Sequence, residues 1–466
     1  MSKKSIFSLV LALFLMFSIQ AGTFAEKESD KESNKKEETT TEEKPKKKAE
    51  GEFPDLHTEY YLLADLSDGK VLKSNNVNEK VFPASTTKIL TAIIALESCN
   101  PGDKVTATSE AISPITNKHS HMGILVGEEL TVEQLVYGLL VGSANDAANV
   151  LAVHISGSLD EFAKLMNEKA AEIGAENSHF VNAHGFHDDN HYTTVNDLWK
   201  ISHYAMQNQK FREIVATSKY EVPPTNKYRD KKNGNKRYLS NTNMLISGNK
   251  GTEHLYEYAI GVKTGHTDEA GYCLVSAAEK DGTELLSIVM KCDNGTKSAD
   301  AYSFIDSKAL LEYGFYNYKY ITVGDISDIV ESADIRNAKI DLTLSPAVPV
   351  SALLEKNVKK EDVEVIAKKN EDILAPIKKG DVLGTVTYKY KGEVLGTVNL
   401  VAGNDVERDF LRHIGVIIGD NFGLIILCAI IIFVVFVYFK YLRSPKKRRA
   451  KSRLRRIDDM QRRRRY

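Results

Sequence analysis

The 466-residue sequence predicts an α/β (α+β) protein with helices around an antiparallel sheet, followed by a small all-β domain and a C-terminal transmembrane helix. Three observations lead to this fold class. Apolar helical segments alternate with strand-like runs over residues 53–320, short alternating strands dominate residues 321–405, and an uncharged apolar run covers residues 422–439. A hydrophobic content of 42% and a charged content of 27% are typical of a mostly globular chain.

The first 52 residues are expected to precede the folded part. Residues 1–25 have the order of a secretory signal peptide, with two lysines, an apolar core and a small-residue cleavage pattern at Thr23-Phe24-Ala25. An uncleaved N-terminal anchor is the alternative, and both predict that the chain is exported. Residues 26–52 are rich in Glu, Lys, Ser and Thr without apolar periodicity, which predicts a charged disordered linker.

Residues 53–320 contain signals for helices and strands in turn. A capping box at Thr131–Gln134 begins one helix, and Asp281-Gly282 is the turn of a hairpin between two apolar runs. The other predicted elements are a hairpin over residues 59–72, helices after Ser85, over residues 147–153, 159–173 and 302–318, a strand over 257–262 and a polar surface loop over 224–237.

Residues 321–405 predict an all-β domain with a turn at Lys391-Gly392 and no cluster of titratable groups, so we expect it to space or orient the first domain. Residues 422–439 are long enough to span a bilayer as a helix. Residues 440–466 carry fourteen Lys or Arg and two Asp. By the positive-inside rule this tail is cytoplasmic and the main body lies outside. Its expected partner is anionic lipid, not nucleic acid.

Three cysteines, Cys99, Cys273 and Cys292, lie in the exported part, and this odd number predicts no disulfide framework. A bridge between Cys273 and Cys292 stays open, because the hairpin would place them diagonally on one sheet face. We find no spacing typical of a metal or cofactor site. The histidines at 184, 187 and 191 and two neighbouring aspartates are expected to order a loop rather than to bind metal.

The central motif is Ser85-Thr86-Thr87-Lys88, which precedes an apolar run. Residues i and i+3 of a helix are neighbours, so the Lys88 amine can reach the Ser85 hydroxyl. A serine becomes nucleophilic when an adjacent base takes its proton, and a desolvated lysine can be that base. The alternative is a plain helix cap with a solvated lysine, because Ser-x-x-Lys recurs in this Lys-rich chain.

Two further motifs follow in chain order, Ser143-Ala144-Asn145 and Lys263-Thr264-Gly265. Taken singly, the first could cap the next helix and the second could be a turn at the end of a strand. Together with the Ser-x-x-Lys motif they match the set that is typical of serine β-lactamases and penicillin-binding proteins.

The chain resembles the low-molecular-weight penicillin-binding proteins that act as serine-type D-alanyl-D-alanine carboxypeptidases. The resemblance covers roughly residues 53–320 and, in outline, the β domain and the anchor. It implies a DD-peptidase/serine β-lactamase-like fold. The segments that carry it, besides the three motifs, are residues 127–132, 146–148, 182–186, 241–243 and 266–274 with His191.

This resemblance implies a role for each catalytic candidate. Ser85 attacks the D-Ala-D-Ala carbonyl and forms an acyl-ester, and Lys88 takes its proton. Ser143 relays a proton to the leaving amine. Asn145 hydrogen-bonds the substrate amide and helps to hold Lys88.

The substrate-binding candidates are Lys263, Thr264, Gly265 and His266. Lys263 and Thr264 are expected to bind the substrate carboxylate, and Gly265 is expected to let the substrate lie along the strand as an added edge. The resemblance implies that the backbone N–H groups of Ser85 and His266 form the oxyanion hole.

The family usually has an arginine downstream of Lys-Thr-Gly that helps to bind the carboxylate. This chain has Lys291 and Lys297 there instead, and a lysine lacks the bidentate fork. The resemblance therefore implies binding of the substrate carboxylate, and with it a carboxypeptidase reaction, less firmly than it would with the arginine present.

The resulting hypothesis is an exported, membrane-anchored carboxypeptidase that trims peptidoglycan stem peptides, needs no cofactor and is acylated by β-lactams. The alternatives are a β-lactamase, a wall endopeptidase and a non-catalytic wall-binding protein. No Glu-x-x-Leu-Asn motif that could position a deacylating water lies between Asn145 and Lys263, which disfavours the lactamase.

Overall fold

A computed structural model describes residues 51–249, 251–292, 299–442 and 445–464. The predicted signal peptide, most of the predicted linker and Lys297 lie outside the described residues.

The first folded region contains strands and helices in alternation. Its strands are β1 (Tyr60–Asp65), β2 (Val71–Asn75), β3 (Lys104–Thr106), β4 (Glu129–Thr131), β5 (Lys219–Val222), β6 (Arg237–Ser240), β7 (Ala259–Thr267), β8 (Gly271–Lys280) and β9 (Thr283–Cys292). Its helices are α1 (Lys88–Ser98), α2 (Ser109–Ile112), α3 (Val132–Leu140), α4 (Asn145–Ser156), α5 (Leu159–Ile173), α6 (Val195–Met206), α7 (Gln209–Val215) and α8 (Ala299–Asn317).

A five-stranded antiparallel sheet runs in the order β2-β1-β9-β8-β7, so β7 lies at an edge. Strands β8 and β9 join through Asp281-Gly282, whose φ angles of +51° and +77° are those of a tight hairpin turn. The predicted hairpin is therefore confirmed. The capping box at Thr131 and Gln134 is also present at the start of α3.

Helix α1 is the central helix of this region. Its residues from Lys88 to Ala95 are all buried, so this part of the helix has no face toward solvent and lies inside the protein. A 3₁₀ turn, Ala84–Thr87, leads directly into it. This turn carries Ser85 at the start of the helix, where the helix and strand β7 meet.

Several predicted boundaries were wrong. The strand placed at residues 257–262 is β7, which begins at Ala259 and continues through Lys263-Thr264-Gly265. The loop placed at 224–237 ends one residue earlier, because Arg237 is buried at the start of β6. Helices α6 and α7 were not predicted.

The second folded region has its own apolar core, which includes Leu354, Val386 and Tyr388. Its strands are β10 (Tyr318–Gly324), β11 (Glu331–Ala333), β12 (Leu342–Pro346), β13 (Val350–Glu355), β14 (Glu364–Lys369), β15 (Val382–Tyr390) and β16 (Glu393–Ala402). They form a sheet in the order β11-β12-β16-β15-β14 and a separate β10-β13 pair. Two contacts to the first region are the Tyr320–Asp65 hydrogen bond and the Lys70–Glu393 ion pair.

Three helices follow: α9 (Phe410–Asp420), α10 (Phe422–Val437) and α11 (Pro445–Arg462). The helical stretch Phe422–Tyr441 is long and apolar enough to cross a membrane, judged by length and composition. Helix α9 was not predicted. It contacts the β domain through Arg412, which donates to the carbonyl of Ala338, while Phe410 and Leu411 are exposed.

Candidate active site

Ser85 and Lys88 are in direct contact, as their spacing predicts. The Lys88 Nζ lies 2.7 Å from the Ser85 Oγ and 2.8 Å from the backbone carbonyl oxygen of His184. Lys88 has no exposed surface, and the 3₁₀ turn has no side-chain cap. The alternative of a capping serine beside a solvated lysine is therefore wrong.

The pKa of the Lys88 amine lies well below its ordinary value. Burial is the main cause, because a charged amine loses its hydration inside the protein, and the nearby Lys263 adds repulsion. Asp146 opposes the shift. A lysine in these surroundings favours the neutral form, which has the lone pair that a base needs.

The loop between α5 and α6 holds the back of the Ser85 turn. Thr91 Oγ1 donates to the Ala183 carbonyl at 2.6 Å. Gly185 has a φ of +81°, and a Cβ atom there would overlap the carbonyl oxygen of Ala84. This close packing places the His184 carbonyl beside the Lys88 amine, a partner that the sequence did not predict.

His191 fixes the same loop to α1. Its Nδ1 accepts from the backbone N–H of Val181 at 3.1 Å, so its Nε2 carries the hydrogen and donates to Thr87 Oγ1 at 2.8 Å. Burial lowers the pKa of His191 to about 3, which keeps the ring neutral. These contacts support the predicted loop-ordering role. Among the described residues, no group of His, Cys, Asp and Glu is arranged to hold a metal ion.

Ser143 precedes α4 but does not cap it. The N-cap residue is Ala144, and Ser143 has a φ of +56°, a left-handed conformation that is strained for a residue with a Cβ atom. This conformation accompanies a contact in which Ser143 Oγ accepts from the Lys263 Nζ at 3.1 Å. The capping alternative for this motif is therefore wrong.

Asn145 and Asp146 begin α4 and fix the neighbouring segment. The Asn145 N–H donates to the Ser120 carbonyl at 2.8 Å, and the Asp146 carboxylate accepts from the N–H groups of Met122 and Ile124. The buried Asn145 Oδ1 has no hydrogen-bond partner among the described residues. The expected contact from Lys88 to this oxygen is therefore absent, and the carbonyl of His184 holds the amine instead.

Lys263-Thr264-Gly265 lies within edge strand β7, so the alternative of a turn is wrong. The Lys263 side chain is buried, and burial lowers its pKa to about 7. Its Nζ donates to the Thr264 carbonyl at 3.0 Å, besides its bond to Ser143. Two amines, from Lys88 and Lys263, thus lie dry and close together.

Gly265 faces the Ser85 turn. A Cβ atom at this position would lie 3.0 Å from the Pro83 carbonyl oxygen and 3.2 Å from the Ser85 backbone nitrogen. The glycine therefore lets β7 approach the nucleophile's backbone N–H, a reason that the sequence did not give. The His266 ring is exposed and packs on Tyr272, with ring centroids 4.0 Å apart.

A polar cavity of about 280 Å³ joins the three motifs. The motif residues that line it are Ser85, Ser143, Thr264, Gly265 and His266. Ser120 and Thr242 also line it, and neither was predicted as a site residue. Among the residues that the structure describes, no arginine lines this cavity.

The remaining expectations concern cysteines and the downstream lysines. Cys273 and Cys292 are both free thiols, as is Cys99, so the open alternative of a bridge is excluded in this structure. The Lys291 Nζ lies over the Tyr60 ring, 5.1 Å from its centroid. Lys297 falls outside the described residues.

The sequence did not reveal a buried ion pair between Glu128 and Arg237. Both guanidinium Nη atoms of Arg237 contact the Glu128 carboxylate, at 2.7 and 2.8 Å. Burial would raise the pKa of Glu128, but bonds from Arg237 and Thr225 outweigh it and lower the pKa. The pair joins the segment before α3 to strand β6, which leads into Thr242. The sequence signal that could have pointed to this ion pair is Gly127-Glu128, which lies in a segment that carries the family resemblance.

A family model described as D-alanyl-D-alanine carboxypeptidase matches residues 44–294, more than half of the chain. The chain belongs to this family. A second model, described as the C-terminal domain of penicillin-binding protein 5, matches residues 318–408.

Relatives of this carboxypeptidase family support the same assignment. D-alanyl-D-alanine carboxypeptidase DacF of Bacillus subtilis is 32% identical over 368 residues, which cover 77% of this chain and 88% of the relative. DacA of Haemophilus influenzae is 28% identical over 76% of this chain and 86% of its own length. The solved structure of penicillin-binding protein 5 from Haemophilus influenzae aligns with a TM-score of 0.58 at 26% identity, covering 76% of this chain and 99% of that one.

The predicted fold class is confirmed by these comparisons, with a mixed α/β DD-peptidase domain followed by a β domain. The predicted enzyme class is confirmed as well: this member of the carboxypeptidase family is a serine hydrolase.

Proposed function

We propose that the protein removes the terminal D-alanine from peptidoglycan stem peptides through an acyl-ester on Ser85. The observation that carries this proposal is the 2.7 Å contact between the Ser85 hydroxyl and the dry Lys88 amine. The names of the relatives, which are D-alanyl-D-alanine carboxypeptidases, supply the substrate class.

In the acylation step, Ser85 Oγ attacks the carbonyl carbon of the penultimate D-alanine while the Lys88 amine takes its proton. The carbonyl oxygen becomes negative and faces the backbone N–H groups of Ser85 and His266. One such donor contributes on the order of a hundredfold in rate. The approach of Gly265 to the Ser85 nitrogen, at 3.2 Å for a built Cβ atom, supports this assignment.

Breakdown of the tetrahedral intermediate cleaves the C–N bond and needs a proton on the leaving amine. Ser143, which accepts from the Lys263 Nζ at 3.1 Å, is the proposed relay that passes this proton from the Lys88 ammonium to the leaving amine, so Lys88 becomes neutral again. A water then attacks the acyl-ester with Lys88 again as base, and the Ser85 hydroxyl is restored. Asn145, whose Oδ1 lacks a partner among the described residues, is the proposed ligand of the substrate amide.

The carboxylate of the substrate is proposed to meet Lys263 and Thr264. A β-lactam carries a carboxylate and a strained amide in a similar arrangement, so we expect it to acylate Ser85 as well. Peptidoglycan peptides and β-lactams are the expected ligands of this cavity.

The decisive experiment incubates the exported domain with a peptide ending in D-Ala-D-Ala and measures free D-alanine, with Ser85→Ala as the control. Release by the wild type alone supports the proposal. A labelled penicillin that never reacts would favour a wall-binding scaffold, and a label that is released rapidly would favour a β-lactamase. Cleavage of cross-linked dimers without release of D-alanine would favour an endopeptidase.

We further propose that the helix Phe422–Tyr441 anchors the chain in the cell membrane, with the enzyme outside and residues 440–466 in the cytoplasm. The basic side chains of the tail would then meet anionic lipids, and nucleic acid is not an expected partner. An epitope added after Tyr466 should resist protease in intact cells while the body is digested. Digestion of the epitope in intact cells would refute this orientation.

A further inference from the structure

We infer that the hydroxyl of Thr242 is a further ligand of the substrate's terminal carboxylate and helps to select peptides with a free C-terminus. This inference rests on the proposed function. Thr242 lies outside the three motifs, in the turn that follows strand β6. It lines the same cavity as Ser85 and Thr264.

The Thr242 hydroxyl is joined directly to the Lys-Thr-Gly motif. Its Oγ1 lies 2.6 Å from the Thr264 Oγ1, which itself lies 3.4 Å from the Lys263 Nζ. Two hydroxyls and the Lys263 amine therefore form a continuous row along one wall of the cavity, and the row ends at Thr242.

The backbone around Thr242 is held rigidly by two buried asparagines. Asn241 Nδ2 donates to the Thr217 carbonyl at 3.0 Å, and Asn243 Oδ1 accepts from the Leu245 N–H at 3.0 Å. The asparagines are 4% and 0% exposed, whereas Thr242 is only half-buried. The fold thus fixes the position of the hydroxyl before substrate arrives, which reduces the cost of ordering it on binding.

The two threonine hydroxyls together have one hydrogen free to donate to a third group. Between two hydroxyls in contact only one hydrogen lies on the line joining their oxygens, so the other remains available to a third group. The Lys263 Nζ donates to Thr264 Oγ1 in either protonation state, which favours a Thr264 hydrogen on Thr242 and leaves the Thr242 hydrogen free. A carboxylate accepts hydrogen bonds and donates none, so it is the natural third group.

This arrangement addresses the missing arginine. An arginine binds both oxygens of a carboxylate through its fork, whereas Lys263 supplies one point of positive charge. The Thr242 hydroxyl, oriented by the bond from Thr264, supplies one further donor at a fixed position. We therefore assign the selection of a free carboxylate to the Lys263–Thr264–Thr242 row.

The test compares Thr242→Val, which keeps the shape and loses the hydroxyl, with Thr242→Ser, which keeps the hydroxyl. Two substrates are used: a peptide ending in D-Ala-D-Ala and the same peptide ending in D-alaninamide. We expect Thr242→Val to lower kcat/KM about tenfold or more on the free acid, typical of a lost bond to a charged group. On the amide it should change kcat/KM less than about twofold, and Thr242→Ser should resemble the wild type.

Equal losses on both peptides, or no loss on the acid, would overturn the inference. Thr217→Val is the matched control, because the Thr217 hydroxyl bonds the Glu213 carbonyl and does not line the cavity. The same variants are also compared for acylation by benzylpenicillin and by its methyl ester. If the wild type is acylated but releases no D-alanine, the proposed function fails, while the penicillin pair still tests Thr242.

Discussion

The Lys88 amine is held between two oxygens, the Ser85 hydroxyl at 2.7 Å and the His184 carbonyl at 2.8 Å. A carbonyl oxygen can only accept, so one N–H of Lys88 must point at His184 in either protonation state. This bond restricts rotation of the neutral amine, so its lone pair can be directed at the Ser85 hydroxyl. A backbone group thus orients the base.

We expect Lys88→Met to reduce penicillin acylation of Ser85 by at least about a thousandfold, because serine loses its base. The wild-type acylation rate should fall as pH falls, since the lowered pKa of Lys88 separates an active neutral amine from an inactive ammonium. Stopped-flow acylation over a pH series measures both effects. Acylation of Lys88→Met at the wild-type rate, or a wild-type rate that rises toward acid pH, would contradict the assignment.

Lys263→Met should stabilise the fold while it lowers activity. The folded-state pKa of Lys263 is about 7 and the ordinary value is 10.5, so between these values the unfolded chain binds more protons. The free energy of unfolding of the wild type should therefore rise with pH in that window, by at most about 1.4 kcal/mol per pH unit from this group. Urea unfolding at several pH values should show a smaller slope for the variant. An unchanged slope would mean that Lys263 is charged in the fold.

Gly265→Ala should slow acylation about a hundredfold, because the new methyl group would press on the Ser85 nitrogen that is a proposed oxyanion donor. Gly102→Ala is the matched control, since a Cβ atom at Gly102 would have no atom within 4 Å. Acylation by labelled penicillin and thermal unfolding are measured for both. Normal acylation by the Gly265→Ala enzyme would show that the close approach of Gly265 to the Ser85 nitrogen is not needed for acylation.

Ser143→Gly and Ser143→Ala both lose the hydroxyl but differ in the backbone. Since Ser143 has a φ of +56°, glycine should relieve strain there and alanine should retain it. We expect Ser143→Gly to be the more stable of the two by about 1 kcal/mol, with similar losses of D-alanine release. Equal stabilities would show that the surroundings do not enforce this backbone conformation.

Glu128→Gln should lower the free energy of unfolding by about 3–5 kcal/mol, because it leaves the buried Arg237 guanidinium without an opposite charge. The double variant Glu128→Gln with Arg237→Met should lose less than the sum of the single losses. Glu221→Gln is the control, because the Glu221–Lys236 pair is exposed and screened by solvent, so its loss should change the free energy of unfolding little. Additive losses would show that the two residues do not act as a pair.

The features that could be predicted are those whose interacting residues lie close together in the sequence. The turn at Asp281-Gly282 could be predicted because few residues accept two successive positive φ angles, and the Thr131 capping box because its partners are three residues apart. The contact between Ser85 and Lys88 followed from helical spacing for the same reason. Convergence of the three motifs was available from the resemblance and not from any local pattern.

Long-range partners explain what the sequence could not predict. Arg237 was assigned to a loop because its neighbours are polar, whereas its partner Glu128 lies 109 positions away in the sequence. The His184 carbonyl has no side-chain signature at all, since every residue has a backbone oxygen. Thr242 is one hydroxyl among many until the fold places it 2.6 Å from Thr264.

Burial of the Lys88 and Lys263 amines next to each other has a consequence for which variants of this protein are stable. A variant with an apolar residue in place of Lys88 or Lys263 would avoid the cost of desolvating an amine, so it would gain stability as it lost the chemistry.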